Sequence, residues 1–269
     1  MEVVTSEMLK VGQGEMLNIL KEIDKICVKH NIKYWLDAGT LLGAIRHKGF
    51  IPWDDDCDVG MMREDFEKFC NLCKTELGED YFLQTRESDP MYRRKLIKIR
   101  SNRIKMVEHA EDENEKYHQG VFVDIFVFDY YPRSAHIMFP FFQFYLRQKG
   151  KRKLMRKGSF ERMLFNIMNL PLSGVYIILR EMFKMLWKER RKDKNLPYIG
   201  AAMEHARYVP IVEKSLIFPI TKRVLFEDVD LYIPNKPGDI LTKLYGDYLV
   251  LPKEENRVWH AKKICYFKK

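Results

Sequence analysis

Residues 121–128 read VFVDIFVF, eight positions with a single charge. A run this short and this apolar suits a strand buried on both faces, so it calls for a sheet covered by other elements. The charge within it, Asp124, is a cost. A carboxylate placed there loses on the order of several kcal/mol of hydration unless a partner compensates it. Whatever this chain folds into must therefore give Asp124 a partner.

The rest of the chain supplies the covering elements. From Thr5 to His30, Leu9, Met16, Leu20, Ile23 and Cys27 recur at helical spacing, with Thr5 or Ser6 able to cap the start. Tyr34–Asp37 reads as a short strand, and Gly39-Thr40 as a turn into a short helix, Leu41–His47. Cys57–Met61 is a second strand. Glu64–Leu77 is an amphipathic helix with Phe66, Phe69, Leu72 and Cys73 on one face. Leu96–Arg100 and Ile104–Val107 read as two further strands, followed by an acidic loop from Glu111 to Gln119. Near the C-terminus, Val224–Phe226 and Val229–Ile233 read as strands and Gly238–Tyr245 as a helix. These elements alternate without strict βαβ spacing. The expected class is α+β, a mixed sheet flanked by helices.

Four aspartates, Asp54, Asp55, Asp56 and Asp58, fall within five positions, framed by the apolar Ile51, Pro52, Trp53, Cys57 and Val59. Carboxylates this close repel and raise one another's proton affinity, and partial burial strengthens the effect. A divalent cation relieves it most directly. Mg²⁺ takes one or two carboxylates and completes its shell with phosphate oxygens and water. Side chains two apart on a strand share a face, so Asp56 and Asp58 are the expected pair, with Cys57 and Val59 turned to the core. Asp124 is the expected third member. Gly39 lets the backbone approach a phosphate, Thr40 can donate a hydrogen bond, and Arg46, Lys98 and Arg100 are candidate phosphate binders. Asp54 and Asp55 serve either the turn or the site, and so do Asp37 and Asp129 at strand ends.

The stretch YWLDAGTLLGAIRHKGFIPWDDDCDVGM, Tyr34 to Met61, resembles the LicD family of phosphocholine transferases, which is related to fukutin-type proteins. GVFVDIFVFD, Gly120 to Asp129, is similar to the family's third-carboxylate strand. LYGDYLVLP, Leu244 to Pro252, with His260 after it, is a weaker third match. The resemblance implies a nucleotidyltransferase-like fold, whose pattern of Gly-Ser or Gly-Thr turn, paired acids and third acid falls here on Gly39-Thr40, Asp56, Asp58 and Asp124. It implies catalysis and metal binding by those three acids, with Mg²⁺ or Mn²⁺. It also implies transfer of phosphocholine from CDP-choline to a sugar of a teichoic acid or lipopolysaccharide precursor, with CMP leaving. A CDP-alditol donor would use the same acids. A nucleotidyltransferase releasing pyrophosphate and a non-catalytic membrane-binding module are the more distant readings. A choline head calls for aromatic faces, and Trp35, Trp53, Tyr130 and Tyr131 stand beside these motifs in sequence.

The net charge of +9 comes from one region. Residues 136–194 hold 15 Lys and Arg against 4 Asp and Glu, while the rest of the chain is slightly acidic. Phe, Met, Leu, Trp and Tyr interleave with these charges, a composition suited to two or three helices on an anionic membrane surface. No nucleic-acid recognition motif accompanies the charge. The expected organisation is therefore a catalytic core at 1–134, a basic amphipathic segment at 135–198, and a C-terminal part at 199–269 completing the core. The N-terminus lacks signal-peptide features, and no run of about 18 uninterrupted apolar residues occurs. The expected location is cytoplasmic, peripheral on the inner face of the cell membrane, near a lipid-linked glycan acceptor. Five cysteines, an odd number, suit a reducing compartment. The CxxC at Cys70 and Cys73 has no second pair at metal-site spacing and reads as two half-buried helix positions.

Overall fold

The computed structural model describes residues 5–92, 94, 96–135, 138–141, 144, 145, 148, 152, 158–201, 211–257 and 259–267. The chain forms two compact units, Met1–Phe128 with Lys214–Lys269, and Asp129–Glu213.

In the first unit the elements run α1 Ser6–Lys29, β1 Tyr34–Leu36, α2 Ala38–His47, β2 Asp58–Met62, α3 Arg63–Glu76, β3 Tyr81–Gln84, β4 Ile97–Glu108 and β5 Gly120–Tyr131. The last strand continues through the boundary between the units. The sheet order is β1-β2-β5-β4, with β3 also on β4. The β2–β5 pair is parallel, while β1–β2, β3–β4 and β4–β5 are antiparallel. This is the mixed sheet of an α+β fold, as the sequence predicts. Every residue of β2 and β5 is buried, which is why neither strand shows polar alternation. Helix α1 lies on β4 and α3, with Met16, Ile19, Leu20, Ile23 and Cys27 fully enclosed. Thr5 caps it by accepting the Met8 amide.

Two expectations change. The strands read at Leu96–Arg100 and Ile104–Val107 are one strand, β4, whose register shifts between Arg100 and Lys105. The Ser101 hydroxyl accepts the Arg103 and Ile104 amides, so the polar interruption is a bulge and not a turn. The start of β2 also moves, from Cys57 to Asp58, which leaves Asp56 in the loop before it.

The chain returns to this unit with α5 Lys214–Ile217, the hairpin β8 Arg223–Phe226 and β9 Val229–Tyr232, then α6 Pro237–Tyr245 and β10 Ala261–Tyr266. Strand β10 pairs with β4 and completes the sheet edge. Its sequence, AKKICY, has adjacent lysines and no alternation of apolar and polar residues to announce a strand. Cys70 and Cys73 sit on α3, half-buried and buried, and burial pushes both thiols up to about 12. That leaves them protonated and suits the helix-packing reading.

The second unit is built on aromatic packing. It holds α4 Phe160–Lys188, β6 Tyr198–Ala201 and β7 Val212–Glu213. Tyr131 stacks on Trp187 at 4.4 Å and meets Phe139 edge-on at 5.1 Å. The Trp187 indole donates to the Tyr130 carbonyl at 2.8 Å, and the Tyr131 hydroxyl donates to the Ala201 carbonyl at 2.9 Å. Ser159 caps α4 by accepting the Arg162 amide. The helix is long and apolar enough, by length and composition, to cross a membrane. Part of the basic region before it lies outside the described residues.

Trp35 is fully enclosed, and a Cβ at its cross-strand neighbour Gly60 would clash with the indole ring. Because the ring has no space to retreat, Gly60→Ala is expected to lower stability by about 3 kcal/mol. Urea unfolding measures this as a lower midpoint with an unchanged slope.

Candidate active site

Four adjacent strands set the site. The Asp37 amide, just past β1, donates to the Asp58 carbonyl at 3.1 Å. Asp58 on β2 is in register with Asp124 on β5, and Asp124 is in register with Lys98 on β4. Paired residues share a face of the sheet. The result is a row of Asp37, Asp58, Asp124 and Lys98. The Lys98 ammonium stands 2.9 Å and 3.1 Å from the two Asp124 oxygens. This ammonium is a partner for the buried carboxylate, and it also lies over the Phe122 ring at 3.1 Å.

The aspartate run divides at this row. Asp55 is fully buried and turns away, its Oδ2 accepting the His260 amide at 2.7 Å and the Ala261 amide at 2.5 Å. It ties the loop to the start of β10 and is structural. Asp54 and Asp56 go the other way. Burial, the Asp56 charge and a hydrogen bond to Asp56 push Asp54 up to about 8. Asp58 is held well above the usual carboxylate range by burial, then by Asp56, Asp124, Asp37 and Asp54. Burial raises Asp37 to about 6, and burial also raises Asp124 against the opposing pull of Lys98. His260 Nε2 is 3.8 Å from Asp56 Oδ2. The Tyr245 phenol is raised by burial and by the charges of Asp58, Asp37, Asp54 and Asp56. The sequence leaves Asp54 and Asp37 open between turn and site, and gives Tyr245 no role. The one signal for Tyr245 is its place in the weaker match, Leu244 to Pro252.

The remaining expected residues have specific places. Gly39 and Thr40 are in the first turn of α2, and the positive φ of 44° falls on Ala38. A Cβ at Gly39 would sit 3.1 Å from Asp54 Oδ2, so this glycine keeps the approach to the acids open. The buried Thr40 hydroxyl accepts the Asp58 amide at 2.7 Å and thereby fixes the start of β2. Arg46 donates to the Tyr248 carbonyl at 2.8 Å and to His47 Nε2 at 2.9 Å. Arg100 is fully enclosed, with Nε on Gln84 Oε1 at 2.6 Å and Nη1 on the Gly120 carbonyl at 2.7 Å. It braces β4 and β5 from within. Of the aromatic residues considered, Trp35, Tyr130 and Tyr131 are core. Trp53 is half-buried and has the Arg257 guanidinium over its face at 4.0 Å. Asp129 is buried within β5.

A divalent cation suits these donors by chemistry. They are hard carboxylate oxygens, and mutual repulsion raises their proton affinity, so a cation would relieve it. Among the described residues no three His, Cys, Asp or Glu converge as a ready cage.

Residues 31–177, more than half of the chain and including the acids from Asp37 to Asp124, match the family described as LicD/FKTN/FKRP, nucleotidyltransferase domain. The chain belongs to this family. It is a phosphoryl-group transferase. It is 30% identical over 268 residues to the lipopolysaccharide cholinephosphotransferase LicD of Haemophilus influenzae, covering 94% of this chain and 95% of the relative. A stretch of 47 residues is 56% identical to ribitol 5-phosphate transferase FKRP of Homo sapiens, covering 18% of this chain and 10% of that one. An uncharacterized Rickettsia prowazekii protein is 31% identical over 121 residues, covering 38% of this chain and 44% of its own length. The LicD-type relative thus spans nearly the whole of both units, and the likeness to FKRP is confined to one short stretch.

The Asp54 carboxyl keeps its proton to about pH 8 in the folded state, against a value of 3.8 in the free side chain. The folded state therefore binds more protons, and stability falls as pH rises from about 4 to about 8. In chelator, the urea midpoint of the wild type is expected to drop across this window, and Asp54→Asn to flatten the drop.

Proposed function

We propose that this enzyme transfers phosphocholine from CDP-choline to a hydroxyl of a glycan precursor of teichoic acid or lipopolysaccharide type, releasing CMP. The observation that carries the reading is the row of Asp37, Asp58, Asp124 and Lys98, with Asp54 and Asp56 at its edge. The full-length similarity to a cholinephosphotransferase supports the choice of donor.

Asp56 and Asp58 would hold a divalent cation, Mg²⁺ or Mn²⁺, with Asp124 bordering it. When bound, the cation neutralises the donor diphosphate and the charge that develops on the leaving oxygen. The acceptor oxygen forms a bond to the phosphorus that carries choline, and the bond from that phosphorus to the bridging oxygen breaks. The electron pair leaves with CMP. Lys98 favours the ionised form of Asp124, which accepts the acceptor hydroxyl's proton. Thr40 positions Asp58 through its amide, and Gly39 leaves room for the diphosphate beside Asp54. Arg46, on the neighbouring helix, is the cation we assign to the outer phosphate. Trp53 offers the aromatic face nearest the acids in sequence.

The acceptor is read as lipid-carried and the enzyme as cytoplasmic, peripheral on the inner face of the membrane, from the basic, aromatic composition of residues 136–194. The short FKRP-like stretch favours a second reading, a CDP-alditol donor, which would use the same acids.

Incubation with CDP-choline, Mg²⁺ and candidate glycolipid precursors is expected to yield CMP and a phosphocholine-bearing product, seen by mass spectrometry. Asp56→Asn and Asp58→Asn are each expected to lower the rate by about a thousandfold with the fold intact. Pyrophosphate in place of CMP, or full activity in Asp56→Asn, would contradict the assignment.

A further inference from the structure

Helix α4 has two apolar sides. One is satisfied within its own unit, where Tyr176, Phe183 and Trp187 are buried in a cluster with Tyr131, Ala135, Phe139 and Ile211. The other is bare. Phe160, Ile167, Ile178 and Met185 follow one another at spacings of 7, 11 and 7, which places them on a single line of the helix opposite the buried stripe. They are 71%, 61%, 61% and 77% exposed. Met163, Leu164, Leu170 and Met182 flank that line and are exposed as well. A soluble helix presents polar residues on its outer face, and a contiguous apolar face of this length marks an interaction surface.

The charges around it identify the occupant. From Met163 to Leu179 there is no Asp, Glu, Lys or Arg. Residues 147–162 before it hold eight Lys and Arg against Glu161, and residues 180–194 after it hold seven against Glu181, Glu189 and Asp193. An apolar helix face between two basic flanks matches a bilayer with anionic headgroups over an acyl interior. Length and composition alone would let the helix cross a bilayer, so its orientation follows from where the charges and the buried stripe fall. The uncharged stretch is 17 residues, about 26 Å of helix, short of the roughly 30 Å hydrocarbon core. Extending it to span would take Arg180 and Glu181 into the core, and the Tyr176–Trp187 stripe is already committed to the protein.

We propose that α4 lies in the plane of an anionic membrane, with Phe160, Ile167, Ile178 and Met185 in the acyl layer and the basic flanks at the headgroups. This rests on the reading of the enzyme as a membrane-surface protein and assigns its contact to one helix face. It makes hydrophobic insertion, and not charge alone, the basis of attachment.

The test is flotation of the full chain with phosphatidylglycerol–phosphatidylcholine vesicles, at about 0.1 M and about 1 M NaCl, which shortens the reach of surface charge from about 10 Å to about 3 Å. Binding should persist at the higher salt. A variant combining Phe160→Ser, Ile167→Ser, Ile178→Ser and Met185→Ser should bind at least about tenfold more weakly, with unchanged circular dichroism. The same variant should cleave CDP-choline normally with a water-soluble acceptor, so loss of attachment is distinguishable from failure of the proposed reaction. Trypsin added outside the vesicles should cut on both basic flanks. The proposal is overturned by binding that disappears at high salt and ignores the four substitutions, or by protection of one flank, the mark of a spanning helix. It is also overturned if the wild type is a lipid-independent dimer that the substitutions dissociate.

Discussion

Asp124 is in register with Asp58 on one side and Lys98 on the other, and this alignment governs the rest of the molecule. A carboxylate in the most apolar strand of the sheet is tolerable because an ammonium 2.9 Å away compensates it. Within the row of acids that compensation falls on Asp124. Asp58 and Asp54 remain uncompensated, raised by burial and like charge acting together, and Asp37 is raised by burial. Such an arrangement costs stability, as sites shaped for a charged substrate often do.

Several features that look unrelated serve this row. Asp55, in the middle of the acidic run, does not join the other acids. By accepting two amides at the start of β10 it closes the sheet edge and turns its neighbours toward the site. Thr40 holds the first residue of β2 by its amide, and Arg100 braces β4 and β5 through Gln84 and Gly120. Gly39 and Gly60 are both needed for close approach, one beside Asp54 and one beneath Trp35. The elements that build the row come from both ends of the first unit, which is why the match of family residues alone does not complete it: Tyr245 and His260 lie beyond residue 177.

Much of this was legible in the sequence where burial leaves a clear pattern. VFVDIFVF announces a central strand, α1 and α3 carry helical periodicity, and the crowded aspartates announce a charged site. What was not legible depends on pairing. Alternation assigned Asp56 to β2, yet the strand begins one residue after Cys57, so Asp56 works from a loop. The polar gap at Ser101–Arg103 splits the strand into two readings, because a hydroxyl that satisfies two amides in a bulge interrupts the apolar pattern. Strand β10, with two lysines in six residues, exists because β4 offers an edge and Asp55 anchors its start. Partner strands and side-chain anchors of this kind are not encoded in local composition.

The central claim is that these carboxylates keep their protons only until a cation displaces them. Titration of Mg²⁺ into chelator-treated protein near neutral pH, by calorimetry in two buffers of different ionisation enthalpy, tests it directly, because a ligand that displaces protons reports them as buffer heat. The account predicts saturable binding accompanied by net proton release, both lost in Asp58→Asn. Binding without proton release that is indifferent to Asp58, or no saturable binding with or without CDP-choline, would contradict it.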